Sequence, residues 1–392
     1  MKTLVILFCF ISTISANNAD EFTKANNQFA STVYKEIAKN EKQNFLVSPF
    51  SAETILALTH AGAKGQTAQE LQSAIHLPED NKKIEEGVKT LLPALKGHDA
   101  YTLQTANKMY IRNNFEIKPE FRKVATEAFF ADSETIDFKK NVKAAETMNK
   151  WVEKQTENKI QNLISPDVVN NKTRLILINA LYLKANWSSP FYLSYTRKID
   201  FYKSASDVVK VDAMTNIYGQ TFLFFECHHL NAKFLELPFK GGEASMTIIL
   251  PNDKDGLSKL ENDLERALVP HNLTHEMVEV QIPKFKIESK IDLKEILRNL
   301  GVVTVFTDFQ ADLSGIAGEP GDLVVNKVIQ KSFIDVNEEG VEAAAATFSL
   351  VAIPDSAYDD KPKEFFADHP FIFYIKAKGV IIFVGRVTDP SK

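Results

Sequence analysis

Two histidine pairs are the residues of this sequence whose type and spacing most directly suggest chemistry. His271 and His275 lie four residues apart, which is the spacing of two metal ligands on one helix face. His228 and His229 are adjacent, so in a strand their side chains would point to opposite faces and would not share a metal ion easily. Because Asn272, between the first pair, also begins an N-glycosylation sequon, we expect neither a metal site nor a cofactor.

The sequence also lacks the common motifs of catalytic centres. It contains no G-x-S-x-G elbow, no H-E-x-x-H helix, no P-loop and no G-x-G-x-x-G turn. Of its two cysteines, Cys9 lies in the N-terminal apolar run and Cys227 in the apolar stretch FLFFECHHLNAKFLEL. We therefore expect a protein that is not an enzyme, has no internal disulfide, and keeps Cys227 as a buried or half-buried thiol.

Segment 338–350, which reads EEGVEAAAATFSL, has an unusual distribution of side-chain sizes. If it is extended, one of its faces carries no charge and nothing larger than valine: Val341, Ala343, Ala345, Thr347 and Ser349. The other face carries Glu342, whose carboxylate we expect to stay solvated, with Ala344, Ala346, Phe348 and Leu350. Such a segment can enter between two strands without a steric clash, although a small-residue loop or an alanine-centred helix also fits.

Strand-like and helix-like runs are interleaved along the chain, which indicates one α+β domain. Segments 174–185 and 322–337 have the residue pattern of strands, and two apolar runs around a turn at Gly379 predict a C-terminal β-hairpin. Phe22, Phe29, Val33 and Ile37 recur at helical spacing and predict an amphipathic helix over 19–40.

Composition and the N-terminus limit the location and the partners. The 392 residues are 44% hydrophobic, which is ample for a sizeable core, and the net charge of −5 argues against nucleic acid as a partner. Residues 1–16 have a lysine, an apolar run and small residues ending at Ala16, so we predict a secretory signal peptide followed by one domain over 17–392. No other apolar run approaches membrane length, and we expect a secreted, extracellular monomer without a membrane partner.

Several segments, in order, resemble the serpin family, and in particular its insect members. They include NFLVSPFSAETILAL, NKWVEKQTENKIQNLI, LINALYLKANWSSPF, the hinge EEGVEAAAAT, ADHPFIFYI and the ending GRVTDP. The resemblance covers about residues 20–392. It implies the α+β serpin fold, with three β-sheets, eight or nine helices and an exposed reactive loop near the C-terminus. It also implies that strands 174–185 and 322–337 flank a segment that can be inserted between them.

The function that the resemblance implies is suicide inhibition of a target serine protease. The protease would attack the loop, form an acyl-enzyme and remain in a covalent complex while the cleaved loop adds to the central sheet. The family hinge corresponds here to Glu338, Gly340, Val341, Glu342, Ala343, Ala344, Ala345, Ala346 and Thr347. Val341 replaces the usual Thr or Ser, but it is uncharged and favours an extended chain. A non-inhibitory serpin, acting as a carrier, storage or binding protein, is the alternative.

By motif position, Ser48, Ser51 and Asn179 correspond to the polar cluster at which the family's central strands part. The fourth member of this cluster is usually a histidine, and here it is Gln330, whose amide can both donate and accept. A pH-sensitive opening through this position is therefore not expected. Trp187 is expected at the packed top of the same sheet.

The sequence offers three candidates for the reactive bond. The family spacing from the hinge glycine gives Pro354–Asp355, but proline suits the specificity pocket of few proteases. The string AIPDS favours Asp355–Ser356, while Tyr358–Asp359 would suit a chymotrypsin-like protease but needs a longer loop. Asp355–Ser356 is the bond that we predict.

Surface modification and a second partner are suggested by short motifs. The sequons at Asn171 and Asn272 are predicted to be glycosylated, whereas Asn186 precedes Trp187 and is predicted to be unmodified. Lys139, Lys140 and Lys143 form a modest basic cluster. A solvated helix face explains that cluster, and a glycosaminoglycan partner is the alternative.

Overall fold

A computed structural model describes residues 2–98, 101–216, 220–342 and 361–392. Nine α-helices occur in these ranges: α1 Lys2–Asn40, α2 Pro49–Ala61, α3 Gly65–Ala74, α4 Asn81–Leu95, α5 Pro119–Glu127, α6 Asn141–Gln155, α7 Leu257–Asn262, α8 Leu264–Ala267 and α9 Leu293–Asn299. The helix predicted over 19–40 is the C-terminal part of α1, and the side chains of Phe22, Phe29 and Val33 are fully buried.

Seventeen strands occur in the same ranges: β1 Phe45–Val47, β2 Gly97–His98, β3 Tyr101–Arg112, β4 Asp132–Ile136, β5 Leu175–Asn186, β6 Arg197–Ser204, β7 Asp207–Thr215, β8 Thr221–Cys227, β9 Ala232–Pro238, β10 Ala244–Pro251, β11 Thr274–Pro283, β12 Phe285–Asp292, β13 Val325–Asn337, β14 Gly340–Val341, β15 Lys363–Phe366, β16 Phe371–Ala377 and β17 Val380–Val387. The predicted C-terminal hairpin is confirmed, because β16 pairs antiparallel with β17 across the turn that contains Gly379.

The strands form three sheets, as the family resemblance implied. The central sheet has the order β12-β13-β14-β5-β3-β2, with β4 on β3. The other two sheets share β11, which pairs with β8 through its first residues and with β7 and β15 through its last. One of them continues through β9, β10, β16 and β17 to β1, and the other ends at β6.

Apolar side chains fill both faces of the central sheet. One face packs on the main core together with α2, which begins at Pro49 under a cap from Ser48, whose hydroxyl accepts from the Ser51 amide at 3.2 Å. The opposite face is covered by α6, whose Met148 and Val152 pack with side chains from β3, β5 and β13. Because both faces are covered, any strand added to the centre of this sheet must fit between two packed layers.

Candidate functional site

The hinge begins as a short strand at the top of the central sheet. Gly340 pairs with Asn186 of β5 and Asn337 of β13, and the fully buried Val341 pairs with Ala185 and Val336. Below this point β5 and β13 pair directly and in parallel, from Leu175 and Val325 up to Tyr182 and Phe333. We call this directly paired line the β5–β13 seam. The two predicted flanking strands therefore lie on either side of the hinge.

Gly340 is required where it lies. A Cβ atom at this position would lie 2.0 Å from the Ala185 carbonyl oxygen and 2.7 Å from the Asn186 Cα, and the φ angle is +151°. Both features exclude an L side chain unless the backbone moves. The glycine thus allows β14 to enter the narrow top of the seam.

Glu342 marks the point where the chain turns out of β14, and here the prediction of a solvated carboxylate is wrong. Its φ angle is +50°, its amide donates to the Asp335 carbonyl at 2.8 Å, and its side chain is only 4% exposed. The carboxylate lies 3.4 Å from the Lys159 ammonium group, which follows α6. Burial raises the pKa of the Tyr182 phenol, and the neighbouring Glu342 carboxylate adds to that rise. The face predicted to be open to water is covered by the chain that follows α6.

The register of the seam is continuous with that of β14. In the seam, Gln330 is opposite Asn179, and above it Gly340 lies between Asn337 and Asn186. In both places, the residue of β13 comes 151 positions after the residue of β5 that lies opposite it. A strand that continued β14 downwards would therefore stay in register with β5 and β13 at once as far as Ile176 and Lys327, below which the β5–β13 pairing shifts by one residue.

The top of the site is held by Glu338 and Trp187. Burial opposes ionisation of Glu338, but hydrogen bonds from Thr196 and Lys284, at 2.6 and 3.0 Å, outweigh it and lower its pKa. The Trp187 indole donates to the Asn337 carbonyl at 2.9 Å and stacks on Phe239 with ring centroids 4.8 Å apart. These contacts fix the end of β13 and the first hinge residue just before β14 begins.

The predicted polar cluster is assembled beneath the seam. The Ser48 amide donates to Gln330 Oε1 at 2.8 Å, and Gln330 Nε2 donates to the Ser48 carbonyl at 2.9 Å and to Asn179 Oδ1 at 2.6 Å. Asn179 in turn donates to the Ser51 hydroxyl. All four residues are fully buried, so Gln330 closes the cluster at the position where the family usually has histidine.

Asn107 is a member of this cluster that the sequence reasoning missed. Its Oδ1 accepts from Asn179 Nδ2 at 2.5 Å, and it lies directly opposite Asn179 in the pairing of β3 with β5. The only signal in the sequence was a polar residue at the centre of the strand TLQTANKMYI.

The remaining predicted residues differ in how far the structure describes them. Ala343, Ala344, Ala345, Ala346 and Thr347 of the hinge, and the candidate reactive residues Pro354, Asp355, Ser356 and Tyr358, lie outside the described residues. The sequon residues Asn171 and Asn272 are both exposed, whereas Asn186 is half-buried within β5.

The histidine pairs do not form a metal site in the part of the chain that the structure describes. His271 precedes β11 rather than lying on a helix, and it packs between Phe225 and Phe234, so burial lowers its pKa. His228 and His229 lie in a turn, not in a strand. Cys227 is a half-buried free thiol, as predicted.

None of the described helices is long and apolar enough to cross a membrane.

Comparison with known proteins agrees with this architecture. Residues 24–390 match the family model described as "Serpin (serine protease inhibitor)". The chain is 36% identical to Alaserpin of Manduca sexta, with all of both chains covered, and 35% identical to Antichymotrypsin-2 of Bombyx mori, with 94% of this chain and 98% of that one covered.

Among solved structures, the chain is similar to Serpin48 of the insect Tenebrio molitor, described as a highly specific serpin. The identity is 54%, the TM-score is 0.88, and 94% of this chain and 98% of that chain are covered. From the family match over nearly its whole length, its relatives and its three-sheet architecture, this chain belongs to the serpin family.

Proposed function

We propose that this protein is a secreted serine protease inhibitor that acts as a suicide substrate. A target protease cleaves the loop after the hinge, and the cleaved loop then adds to the central sheet along the β5–β13 seam. The observation that carries this proposal is the shared register: β14 already lies between β5 and β13, and its continuation matches both strands. Sheet addition of this kind supplies backbone hydrogen bonds on both sides of the new strand.

The register assigns a place to each inserted hinge residue. Ala345 would lie level with Leu181 and Ser332, which are both fully buried, so only a small uncharged side chain fits there. Thr347 would lie level with Asn179 and Gln330, where the polar cluster now joins the two strands. Insertion must therefore break the Gln330–Asn179 hydrogen bond and offer replacement partners to both amides.

New backbone pairing is the main driving force of the proposed insertion. A dozen new hydrogen bonds at about 0.5–1.5 kcal/mol net each would contribute on the order of 10 kcal/mol. This gain is available only after cleavage, because an intact loop is anchored at both of its ends. The uncleaved fold is thus held away from a more stable state.

The chemistry belongs to the protease and proceeds at its serine. The serine oxygen attacks the carbonyl carbon of the residue before the bond, the peptide C–N bond breaks, and the released amine takes a proton from the protease histidine. The ester that joins the two proteins is normally hydrolysed by water. Trapping requires that insertion move the acylated protease before this hydrolysis occurs.

We further propose that the reactive bond is Asp355–Ser356, and that residues 1–16 are removed as a signal peptide. The exposed Asn171 and Asn272 are the proposed glycan acceptors. The side chains of Lys139, Lys140 and Lys143 are exposed on or beside α6, which leaves a glycosaminoglycan partner as a secondary proposal.

The proposal is tested with Ala345→Glu, which would place a carboxylate between Leu181 and Ser332 at a cost of several kcal/mol. We expect cleavage of the loop to continue while the covalent complex disappears from denaturing gels, in a panel of serine proteases. Ala345→Ser is the matched control, since it is small and uncharged, and it should still trap protease.

Two results would contradict the proposal. One is wild-type trapping by Ala345→Glu. The other is an equal melting temperature before and after loop cleavage, which would favour a non-inhibitory serpin.

A further inference from the structure

A strongly basic cleft lies at the lower end of the central sheet, at the end of the seam opposite to β14. It has a volume of about 580 Å³, and its charged lining residues are Arg112, Lys172, Arg174, Lys327 and Asp308. Four positive charges and one negative charge thus share one cleft, in a chain whose net charge is −5. We call these five residues the basal cleft.

Much of the positive charge of the basal cleft is not neutralised. Arg174 lies 3.3 Å from Asp308, and Lys327 lies 2.6 Å from Asp292, so these two cations have partners. Arg112 instead donates to two backbone carbonyls, those of Thr173 at 2.8 Å and Asn171 at 2.7 Å. In the ranges described by the structure, neither Arg112 nor Lys172 forms an ion pair.

Crowding of like charges is visible at Arg112. Burial lowers the pKa of its guanidinium group, and the neighbouring charge of Arg174 lowers it further. An anion entering the cleft would relieve this repulsion. Carboxylates are well matched to such a pair, since guanidinium groups donate to them in a fork-like geometry.

The register of the seam brings one particular anion to this cleft. Counting down from the Val341–Ala185 pair, position 351 would lie opposite Leu175, the first residue of β5. Position 355 would extend four residues beyond, roughly 13 Å at about 3.3 Å per residue. The residues just before β5, from Asn171 to Arg174, line the cleft and form a turn, so the cleft begins next to Leu175 at the point where the inserted strand would leave the seam.

We propose that the basal cleft is the acceptor for the carboxylates of Asp355 after the cleaved loop has joined the sheet. This inference rests on the proposed function and on cleavage at Asp355–Ser356. Hydrolysis of the acyl-enzyme leaves Asp355 with a side-chain carboxylate and a new α-carboxylate, so two negative charges arrive among four positive ones. The cleft thereby favours the fully inserted form over a partly inserted one.

The test uses the intact, full-length protein and a synthetic peptide of residues 343–355 that ends in the free acid of Asp355. The comparison peptide is amidated and carries Asn in place of Asp355. Strand addition by either peptide should raise the melting temperature, and the acid peptide should bind roughly fivefold more tightly. The difference should shrink as salt is added, because the charges are close to the surface.

Substitutions in the basal cleft test whether its residues cause the preference for the acid peptide. Arg174→Gln and Lys172→Gln should each reduce the preference for the acid peptide while leaving binding of the neutral peptide unchanged. Lys240→Gln is the matched control and should retain the full preference, because this exposed lysine lies beside Asn186 at the opposite end of β5, where its amide donates to the Asn186 carbonyl at 2.8 Å. Lys172 is exposed, whereas the side chain of Arg174 is only 20% exposed and pairs with Asp308, so an unchanged melting temperature without peptide is required of each variant.

The outcomes separate the inference from the proposed function. If both peptides bind equally well to the wild-type protein, or if the cleft variants keep the preference, the basal cleft is not the acceptor and the insertion mechanism stands. If neither peptide raises the melting temperature, strand addition itself fails, and the proposed function is overturned together with this inference.

Discussion

Gly340→Ala is the substitution that tests the hinge geometry most directly. The added methyl group would lie 2.0 Å from the Ala185 carbonyl oxygen and 2.7 Å from the Asn186 Cα. Both neighbours are backbone atoms of the central strand β5, which pairs with β3 on its other side and cannot retreat without disrupting that ladder. We therefore expect β14, which contributes only two residues, to leave the sheet instead.

The free-energy cost of losing β14 from the sheet has two parts: the apolar side chain that it buries and the backbone hydrogen bonds that it forms. Val341 is fully buried, and exposing a valine side chain costs about 1.5–3 kcal/mol. Each lost backbone hydrogen bond adds about 0.5–1.5 kcal/mol. A total of about 3 kcal/mol is a conservative sum, and it corresponds to roughly a hundredfold change in the equilibrium that places β14 in the seam.

Two measurements check this prediction. Thermal melts should show a lower midpoint for uncleaved Gly340→Ala, and denaturing gels should show more cleaved inhibitor and less covalent complex per protease added. Gly379→Ala is the matched control, because its φ of +85° gives a similar backbone strain but no heavy atom lies within 4 Å of the added Cβ. If Gly340→Ala traps protease as the wild type does, the preformed β14 is not needed for insertion.

Substitutions at two further positions probe buried polar groups of the uncleaved fold. Glu53 is fully buried, its carboxyl oxygens have no hydrogen-bond partner in the described chain, and burial raises its pKa well above the usual 4.5. The folded chain then keeps a proton that the unfolded chain loses, so the unfolding free energy should fall as pH rises from about 4.5 to the folded-state pKa. Urea melts at several pH values should show that Glu53→Gln removes this pH dependence. Glu53→Leu should in addition stabilise the folded chain. A pH dependence that survives in Glu53→Gln would assign it to another group. Gln330→Glu would replace the amide nitrogen that donates to Ser48 and Asn179 with an acceptor oxygen. We expect the midpoint of thermal unfolding to fall by several degrees at neutral pH and to recover in part in acid. An unchanged midpoint would show that the cluster does not hold the seam closed.

The elements that build the site were predictable because their signals are local. The alternation and apolar content of segments 174–185 and 322–337 predicted β5 and β13, and the turn at Gly379 predicted the terminal hairpin. The polar cluster was predictable from its motif positions, and the two-way hydrogen bonding of Gln330 followed from the chemistry of an amide.

The alternation of residues along a strand did not predict which face of the sheet is covered by a distant part of the chain. Alternation assigns Glu342 to the outer face of the sheet, but it does not show that α6 and the chain after it lie on that face. The side chain of Glu342 is therefore buried, and its carboxylate pairs with the half-exposed Lys159, 183 residues earlier in the chain. Asn107 was missed for a related reason, since only the pairing of β3 with β5 brings it to Asn179.

Because α6 covers the outer face of the central sheet, it also helps to explain why four consecutive alanines follow Glu342. The inner face of an inserted strand meets the main core, and this explains small residues at Ala343 and Ala345. Continuing the register places Ala346 level with Ala180, which is itself buried beneath α6. A large side chain at position 346 would have to displace α6 as the strand passes beneath it, so a run of small residues on both faces is what rapid insertion between two packed layers requires.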